Sequence, residues 1–156
     1  MTCRIPRLLL PGLLLAVASC GAAAAALPAA VDALVARARE QVTLIDQAAF
    51  LAVLQRADVQ AGGILVIDVR EPDEFEAGHI PGAVNIPRGV IEFRIWSLLG
   101  DSAAAAPVTA VYLYCGWGSR AALAAQSLQQ LGLAHVTAVD VQLAQWQADG
   151  LPFALP

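Results

Sequence analysis

The segment CGWGSR at residues 115–120 combines the residue types that nucleophilic chemistry at a cysteine requires. It lies between an apolar run and an alanine- and leucine-rich helical pattern. Gly116 and Gly118 allow φ values that other residues avoid, so the backbone can curl and turn its N–H groups inward. Such a loop at a helix N-terminus stabilises the thiolate of Cys115, and the guanidinium of Arg120 adds donors for an oxyanion. The segment therefore predicts an activated nucleophile beside an anion pocket.

The alternative for this segment is a small, unreactive cysteine at a strand end. Free cysteines are commonly buried and inert, and Arg120 would then be a solvated surface residue. The order of strand, cysteine, two glycines, arginine and helix favours the functional interpretation, because the motif and its structural context agree.

Five strand patterns alternate with helix patterns and must position this loop. The strands are predicted at 42–45, 64–69, 83–86, 108–114 and 136–139, the helices at 31–41, 47–56, 72–77, 89–99, 119–131 and 143–148, and a loop at 103–107. The strands at 64–69 and 108–114 are apolar on both faces, as in the middle of a parallel sheet that helices cover. We expect an α/β fold of three layers (α/β/α) around a mainly parallel sheet of about five strands. Chemistry in such folds occurs at the carboxyl ends of the strands, where Asp68, Arg70 and Cys115 would lie.

The composition restricts the class of protein. The chain has 156 residues, 58% hydrophobic and 14% charged, with nine arginines, no lysine and a formal charge of -4. This balance argues against a nucleic-acid binder, which needs a clustered basic surface. It also argues against disorder, because a disordered chain combines low hydrophobicity with high charge. The length predicts one globular domain.

The N-terminal residues have the pattern of an export signal. Arg4 and Arg7 precede an uncharged, apolar run, so we predict a signal peptide at 1–19. The run ends at Cys20 in a sequence similar to a bacterial lipobox, which predicts lipidation of Cys20 and a membrane-anchored lipoprotein. Plain cleavage within 21–26, giving a periplasmic protein, is the alternative.

An alanine-rich tether and short helix at 20–41, packed on the domain or linking it to the membrane, would precede the domain at 42–156. Cys115 then stands alone in an oxidising compartment, where an unpaired thiol is a liability unless it is buried or used.

Two further motifs, together with the cysteine loop, resemble the rhodanese homology domain. They are LVIDVREPDEF at 65–75 and GHIPGAVNIP at 78–87, and a tryptophan followed by Gly-Leu-Pro at 146–152 completes the pattern. The resemblance covers about residues 42–153. It implies a rhodanese-like fold and transfer of a sulfane sulfur from thiosulfate, a polysulfide or a persulfide to cyanide or a thiol.

The resemblance also implies roles for the loop residues. Cys115 would be the nucleophile that carries the sulfur as a persulfide. The backbone N–H groups from Gly116 through Trp117, Gly118 and Ser119 to Arg120 would stabilise the thiolate and persulfide, and Arg120 would orient an anionic donor. The resemblance implies no cofactor and no metal. Related phosphatases and arsenate reductases have a loop one residue longer, so the six-residue loop favours the sulfurtransferase class.

Four residues outside the loop have mainly structural interpretations. Asp68 and Arg70 are expected to tie the end of their strand to neighbouring loops, with Arg70 paired to a carboxylate such as Glu74. His79 is expected to hold a turn by hydrogen bonds. His135 has no evident partner, so the sequence contains no convincing Cys–His dyad and no metal-ligand spacing.

The sequence departs from the rhodanese pattern at Val141-Gln142, where two glycines are usual. Val141 is β-branched and resists positive φ, so this turn is expected either to take another shape or to be strained. Trp117 would either point outward and form a pocket wall or partner contact, or point inward and crowd the sulfur. The intact Cys115 and Arg120 favour the enzyme, and the substitution at Val141-Gln142 leaves open a non-catalytic module that senses, carries sulfur or binds a partner.

Overall fold

The computed structural model describes residues 28–56, 59, 62–100 and 108–155. The predicted signal peptide at 1–19, Cys20, the tether as far as residue 27 and the loop at 103–107 lie outside these residues. No helix in the described part of the chain has the length and apolar character that crossing a membrane requires.

A five-stranded sheet organises the domain, and each strand pair in it is parallel. Its strands are β1 (Thr43–Asp46), β2 (Ile64–Asp68), β3 (Val84–Asn85), β4 (Ala110–Tyr114) and β5 (Val136–Asp140). They are arranged in the order β1-β5-β4-β2-β3. The apolar composition of β2 and β4 follows from their inner positions, where helices cover both faces. Because Asp68 pairs with Tyr114 across β2 and β4, Cys115 leaves the sheet beside the carboxyl end of β2.

Helices lie on both faces of this sheet. They are α1 (Ala29–Gln41), α2 (Gln47–Leu54), α3 (Pro72–Glu76), α4 (Ile91–Arg94), α5 (Trp96–Leu99), α6 (Ser119–Gln130) and α7 (Leu143–Ala148), with a 3₁₀ turn at Arg88–Val90. One apolar cluster contains Ile67 and Leu113, and the other contains Phe50, Val66 and Trp146. Since neighbouring residues of a strand point to opposite faces, β2 contributes to both clusters. The predicted three-layer fold is confirmed.

The prediction of one helix over 89–99 is wrong. Val90 has φ −134° and ψ 7°, so the α-helical backbone begins only at Ile91. Between α4 and α5 the indole Nε1 of Trp96 donates to the carbonyl oxygen of Glu92 at 2.9 Å. In a continuous helix that carbonyl would accept from the backbone N–H of Trp96, so the side chain competes with the helical ladder.

The predicted helix at 31–41 is confirmed as α1, and it packs on the domain. Ala38 is fully buried, and the side chains of Gln41 and Gln126 join α1 to α6 by a hydrogen bond of 2.6 Å. Val31 and Leu34, at the outer end of α1, remain exposed. The inner end of α1 is therefore fixed against the helix that begins at the cysteine loop.

Candidate active site

Cys115 lies at the base of a pocket at the carboxyl edge of the sheet. The pocket has a volume of ≈ 220 Å³, and its lining residues are Glu74, Cys115, Gly116, Trp117, Ser119 and Arg120. Only 2% of Cys115 is exposed. The helix α6 begins at Ser119, and the N–H groups of a first helical turn have no intrahelical acceptor. The thiol is thus confined in a pocket beside backbone donors and a guanidinium.

Gly118 is the point at which the loop requires glycine. Its φ is +77°, and a Cβ there would lie 2.6 Å from Oδ1 of Asp140 and 2.7 Å from Nη2 of Arg39. Gly116 has no positive φ, and the nearest heavy atom to a Cβ built on it would be Nη2 of Arg120 at 3.9 Å. The predicted left-handed backbone is therefore found at Gly118 but not at Gly116.

Replacing Gly118 with alanine is expected to destabilise the protein and to distort the loop. A left-handed conformation costs a residue with a side chain about 1–2 kcal/mol, and the new methyl group would also displace the charged pair behind it. Gly150→Ala is the matched control, because Gly150 has φ +69° and no heavy atom lies within 4 Å of the position that a Cβ would take there. Urea unfolding should show a larger loss of unfolding free energy for Gly118→Ala than for Gly150→Ala. Equal losses would contradict the contact argument.

Arg120, predicted to bind an anion, is held by a carboxylate. Its Nη1 and Nη2 donate to Oε2 and Oε1 of Glu74 at 2.6 and 2.8 Å. Glu74 is oriented in turn by the start of α3, where the N–H of Glu71 donates to Oε2 at 3.1 Å. The hydrogen bonds from Arg120, outweighing partial burial, lower the pKa of Glu74 from 4.5 to about 2. At neutral pH this pair is fully ionised.

The depressed pKa of Glu74 predicts a pH dependence of stability. The folded value of about 2 lies below the ordinary value of 4.5. The stabilisation is therefore complete above about pH 4.5 and is lost as the pH falls through about 2. Unfolding free energy measured between pH 5 and pH 2 should fall less steeply in Glu74→Gln than in the wild type. Glu76→Gln, on the exposed side of the same helix, should leave the slope unchanged; a flattened slope there, or none in Glu74→Gln, would contradict the assignment.

Asp68 and Arg70 form a buried pair beside the pocket. Nε of Arg70 lies 3.0 and 2.9 Å from the two carboxylate oxygens of Asp68, and Nη2 lies 2.6 Å from Oδ2. Nη2 also donates to the carbonyl oxygen of Gly78 at 2.8 Å, and the amide of Asn85 bonds both backbone carbonyls of the pair. The expected tie between the strand end and its loops is present. The expected pairing of Arg70 with Glu74 is wrong, because Asp68 is nearer and α3 directs Glu74 to Arg120.

Sequence reasoning did not identify Arg39 and Asp140 behind the loop. Nη1 and Nη2 of Arg39 donate to the Asp140 carboxylate at 2.8 and 2.7 Å, and Nη2 lies 3.4 Å from the carbonyl oxygen of Trp117. These hydrogen bonds lower the pKa of Asp140. The two residues are 101 positions apart, so no local pattern indicates their contact. The only local signal is Gly118, whose missing Cβ makes room for them.

The fold also determines where the side chains of His79, His135 and Trp117 lie. Nδ1 of His79 lies 3.0 Å from the carbonyl oxygen of Phe75, and the two rings stack with centroids 3.8 Å apart, so His79 holds its turn as predicted. His135 precedes β5 and so lies at the amino ends of the parallel strands, whereas Cys115 lies at their carboxyl ends. Trp117 is 63% exposed, which confirms the outward alternative.

The turn at Val141 and Gln142 differs from the one that two glycines would permit, and its backbone is not strained. In the described part of the chain only glycines have positive φ. Val141 is fully buried, Gln142 has φ −96° and ψ 95°, and the N–H of Leu143 donates to the carbonyl oxygen of Gly116 at 2.9 Å. The substituted turn therefore still anchors the cysteine loop.

A family model for the rhodanese-like domain matches residues 50–149, more than half of the chain. This chain belongs to the rhodanese family. The match includes the cysteine loop and the ion pairs of Asp68 and of Glu74, so the predicted resemblance is confirmed. The helix α1, which contributes Arg39, precedes the matched region.

Curated relatives of this rhodanese-like chain include sulfurtransferases. It is 42% identical over 71 residues to the uncharacterised protein YqhL of Bacillus subtilis, covering 46% of this chain and 51% of that protein. A protein of Allochromatium vinosum named sulfurtransferase is 30% identical over 93 residues, covering 60% and 80%. Thiosulfate sulfurtransferase PspE of Escherichia coli is 33% identical over 70 residues, covering 45% and 62%. The chain spans about half the length of several curated relatives it matches.

Solved structures share the fold of this rhodanese-like domain. A Rhodopseudomonas palustris protein described as a possible tyrosine phosphatase has a TM-score of 0.64 and 29% identity, with 80% of this chain and 93% of that chain covered. A polysulfide-sulfur transferase homodimer from Wolinella succinogenes has a TM-score of 0.62 and 26% identity, with 81% and 88% covered. The parallel sheet and its layers are thus those of known rhodanese-like domains.

Proposed function

We propose that this protein is a sulfurtransferase that carries a sulfane sulfur as a persulfide on Cys115. The observation that carries the proposal is the position of Cys115 at the base of a pocket that also contains Arg120 and borders the first turn of α6. Sulfurtransferases among the relatives support the same class of reaction. The six-residue loop favours sulfur transfer over phosphatase chemistry, the activity suggested for one structural neighbour.

The reaction proceeds in two displacements at sulfur. The thiolate of Cys115 attacks the outer sulfur of thiosulfate, the S–S bond of the donor breaks, and sulfite leaves with the bonding electron pair. The product on the protein is an ionised persulfide. Cyanide or a thiolate then attacks the outer persulfide sulfur, and the Cys115 thiolate is regenerated. No electrons are gained or lost overall, because the sulfane sulfur moves from one nucleophile to another.

The residues of the loop have distinct parts in these steps. Backbone N–H groups from Gly116 to Arg120 stabilise negative charge on sulfur. That charge is greatest in the thiolate and in the ionised persulfide. Arg120 presents a guanidinium to the donor from its position against Glu74. Trp117, whose side chain is largely exposed, and Ser119, at the start of α6, also line the pocket.

A non-catalytic rhodanese-like module is the second candidate. The observation that favours it is the low exposure of the thiol: Cys115 is 2% exposed, and Arg120 already has a carboxylate partner. A module of this kind would bind a partner or sense a ligand with the same pocket and would not turn over a donor.

We also propose that the protein is exported. The pattern at 1–19 and the lipobox-like ending at Cys20 support a periplasmic or membrane-anchored protein. Globomycin, which blocks lipoprotein processing, distinguishes the two forms: accumulation of a precursor would support the lipidated form, and unaffected cleavage would support plain secretion.

Intact mass spectrometry tests the proposed persulfide. The wild-type domain should gain one sulfur atom after incubation with thiosulfate or a polysulfide, and cyanide should remove it. The Cys115→Ser variant should gain none under the same conditions. Absence of an adduct from every sulfane donor would overturn the enzyme and support the partner-binding module.

A further inference from the structure

Two carbonyl oxygens of the cysteine loop are held by groups from outside the loop. The N–H of Leu143, at the start of α7, donates to the carbonyl oxygen of Gly116 at 2.9 Å. Nη2 of Arg39, on α1, donates to the carbonyl oxygen of Trp117 at 3.4 Å. Two consecutive peptide groups of the loop are therefore anchored, the first by α7 and the second by α1.

Anchoring a carbonyl oxygen also orients the N–H of the same peptide group. A trans peptide is planar, so its C=O and N–H bonds point in opposite directions. In the described part of the chain no peptide bond is cis. The carbonyl of Gly116 points to Leu143 and that of Trp117 points to Arg39, so the N–H groups of Trp117 and Gly118 point away from these anchors.

Arg39 is itself held in one orientation. Its Nη1 and Nη2 donate to the carboxylate of Asp140 at 2.8 and 2.7 Å. A guanidinium with two such bonds to one carboxylate has a fixed plane. The turn of α1 that carries Arg39 is fixed as well, because Ala38 is fully buried and Gln41 is hydrogen-bonded to Gln126 of α6. Nη2 therefore stays against the cysteine loop.

Gly118 allows this close approach. A Cβ there would lie 2.7 Å from Nη2 of Arg39 and 2.6 Å from Oδ1 of Asp140. With no side chain at this position, the ion pair lies directly against the loop backbone. The left-handed backbone of Gly118 and the ion pair thus form one contact, which joins α1 to the loop.

The guanidinium of Arg39 also interacts with the thiol. Hydrogen bonding to Asp140 raises the pKa of Arg39 against the opposing effect of burial, and the charges of Asp140 and Cys115 raise it further. An electrostatic interaction of this kind is mutual, so the positive charge of Arg39 favours negative charge on Cys115.

Arg39 differs in position from the arginine of the pocket. Arg120 lines the pocket with Cys115, whereas Arg39 lies behind the loop and outside that lining. A small donor in the pocket therefore contacts Arg120 and does not contact Arg39. The effect of Arg39 on the chemistry must pass through the loop backbone and through its charge.

We infer that Arg39 is a positioning residue for the cysteine loop: from α1 it holds the Trp117 carbonyl oxygen, so that the N–H of Gly118 faces the sulfur of Cys115. The inference rests on the proposed function, in which this N–H stabilises a negatively charged sulfur. The helix α1 precedes the rhodanese-like region at 50–149. It is thus part of the machinery of the site and does more than join the domain to the N-terminal segment.

Amide NMR of the isotope-labelled full chain tests the orientation of the Gly118 N–H. Iodoacetamide converts the Cys115 thiolate into a neutral thioether and releases iodide, so an amide that faces the sulfur changes its proton chemical shift. In the wild type the amides of Trp117 and Gly118 should both respond. In Arg39→Met the response of Gly118 should be largely lost, whereas that of Trp117, whose peptide group is anchored by Leu143, should remain. Cys115→Ser, treated in the same way, should show neither response.

The rate of sulfur loading measures the functional consequence. Thiosulfate is the donor, and the mass gain of the protein is followed over time. Removing one donor from an oxyanion hole lowers kcat by about a hundredfold or more, and Arg39→Met misdirects a donor without removing it, so loading should slow by about tenfold. Arg37→Met, an exposed position on the same helix, should load at the wild-type rate. The urea midpoint should change little in both variants, because the pair of Arg39 and Asp140 is partly exposed.

Asp140→Asn tests the inference through the other member of the pair. It leaves Arg39 in place and removes the charged partner that fixes the guanidinium plane. Loading should slow, and the double variant with Arg39→Met should be no slower than Arg39→Met alone, because both substitutions act through one contact. Losses that multiply in the double variant would contradict this chain of contacts.

The readouts separate the inference from the proposed function. An unchanged Gly118 response in Arg39→Met would overturn the inference while sulfur loading of the wild type leaves the proposed function intact. Slower loading with a lowered urea midpoint and a retained Gly118 response would also overturn it, because Arg39 would then only stabilise the fold. If the wild type did not load sulfur but Arg39→Met still lost the Gly118 response, the proposed function would fail and the assigned orientation would stand.

Discussion

Cys115→Ser is expected to abolish turnover while leaving the fold intact. Serine has nearly the shape of cysteine, but its hydroxyl does not ionise at neutral pH and cannot carry a sulfane sulfur. Removal of a covalent nucleophile lowers kcat by roughly a thousandfold or more. The measurement is the rate of thiocyanate formation from cyanide and a sulfane donor, with the unfolding free energy of both proteins determined in urea.

The matched control is Cys115→Ala. It should be as inactive as the serine variant, because neither side chain forms a persulfide. Activity above about one hundredth of the wild-type rate in either variant would place the chemistry elsewhere. If a binding partner were found, unchanged affinity of Cys115→Ser for it would favour the non-catalytic module, because binding would then not need the thiol.

Asp68→Asn is expected to cause the largest loss of stability among the substitutions considered. The side chain of Asp68 is fully buried and that of Arg70 is 8% exposed, so water cannot replace the lost carboxylate. Breaking a buried pair by removing one partner costs about 3–5 kcal/mol, because an uncompensated charge remains. Urea unfolding of the variant and the wild type at pH 7 measures this difference.

The double variant Asp68→Leu with Arg70→Met provides the control. It removes both charges, so it should be less destabilised than Asp68→Asn even though it loses more hydrogen bonds. Its activity should remain impaired, because the bond from Arg70 to the carbonyl oxygen of Gly78, just after the helix that carries Glu74, is lost. A double variant less stable than the single one would show that packing, and not the unpaired charge, dominates at this position.

The two predictions concern different parts of the same edge of the sheet. Cys115 follows β4 and Asp68 ends β2, and the parallel register brings Asp68 opposite Tyr114. The buried pair of Asp68 and Arg70 fixes the end of β2 and the loops beside it, and the cysteine loop leaves the sheet next to them. Substitutions in this pair should therefore change stability and activity together, whereas substitutions of the Cys115 thiol should change activity alone.

Local patterns in the sequence determined the fold and the position of the cysteine loop. Two continuous apolar runs identified the inner strands, because only strands covered on both faces can be apolar on both. Cysteine, glycines and arginine between a strand and a helix located the loop. These features depend on residues close together in the chain, which is why sequence periodicity and motifs reveal them.

Tertiary structure alone decided how the charges pair. Arg120 contacts Glu74 across 46 positions and Arg39 contacts Asp140 across 101, so no spacing between neighbouring residues identifies the partners in either pair. The sequence suggested Glu74 as a partner for Arg70, but the turn from β2 brings Asp68 to Arg70 and the start of α3 points Glu74 toward the cysteine pocket. Ion pairing depends on distances of a few ångströms, and those distances are set by the packing of separate elements. The family, the fold and the position of the cysteine loop were therefore readable from the sequence, whereas the pairing of charges in the pocket required the folded chain.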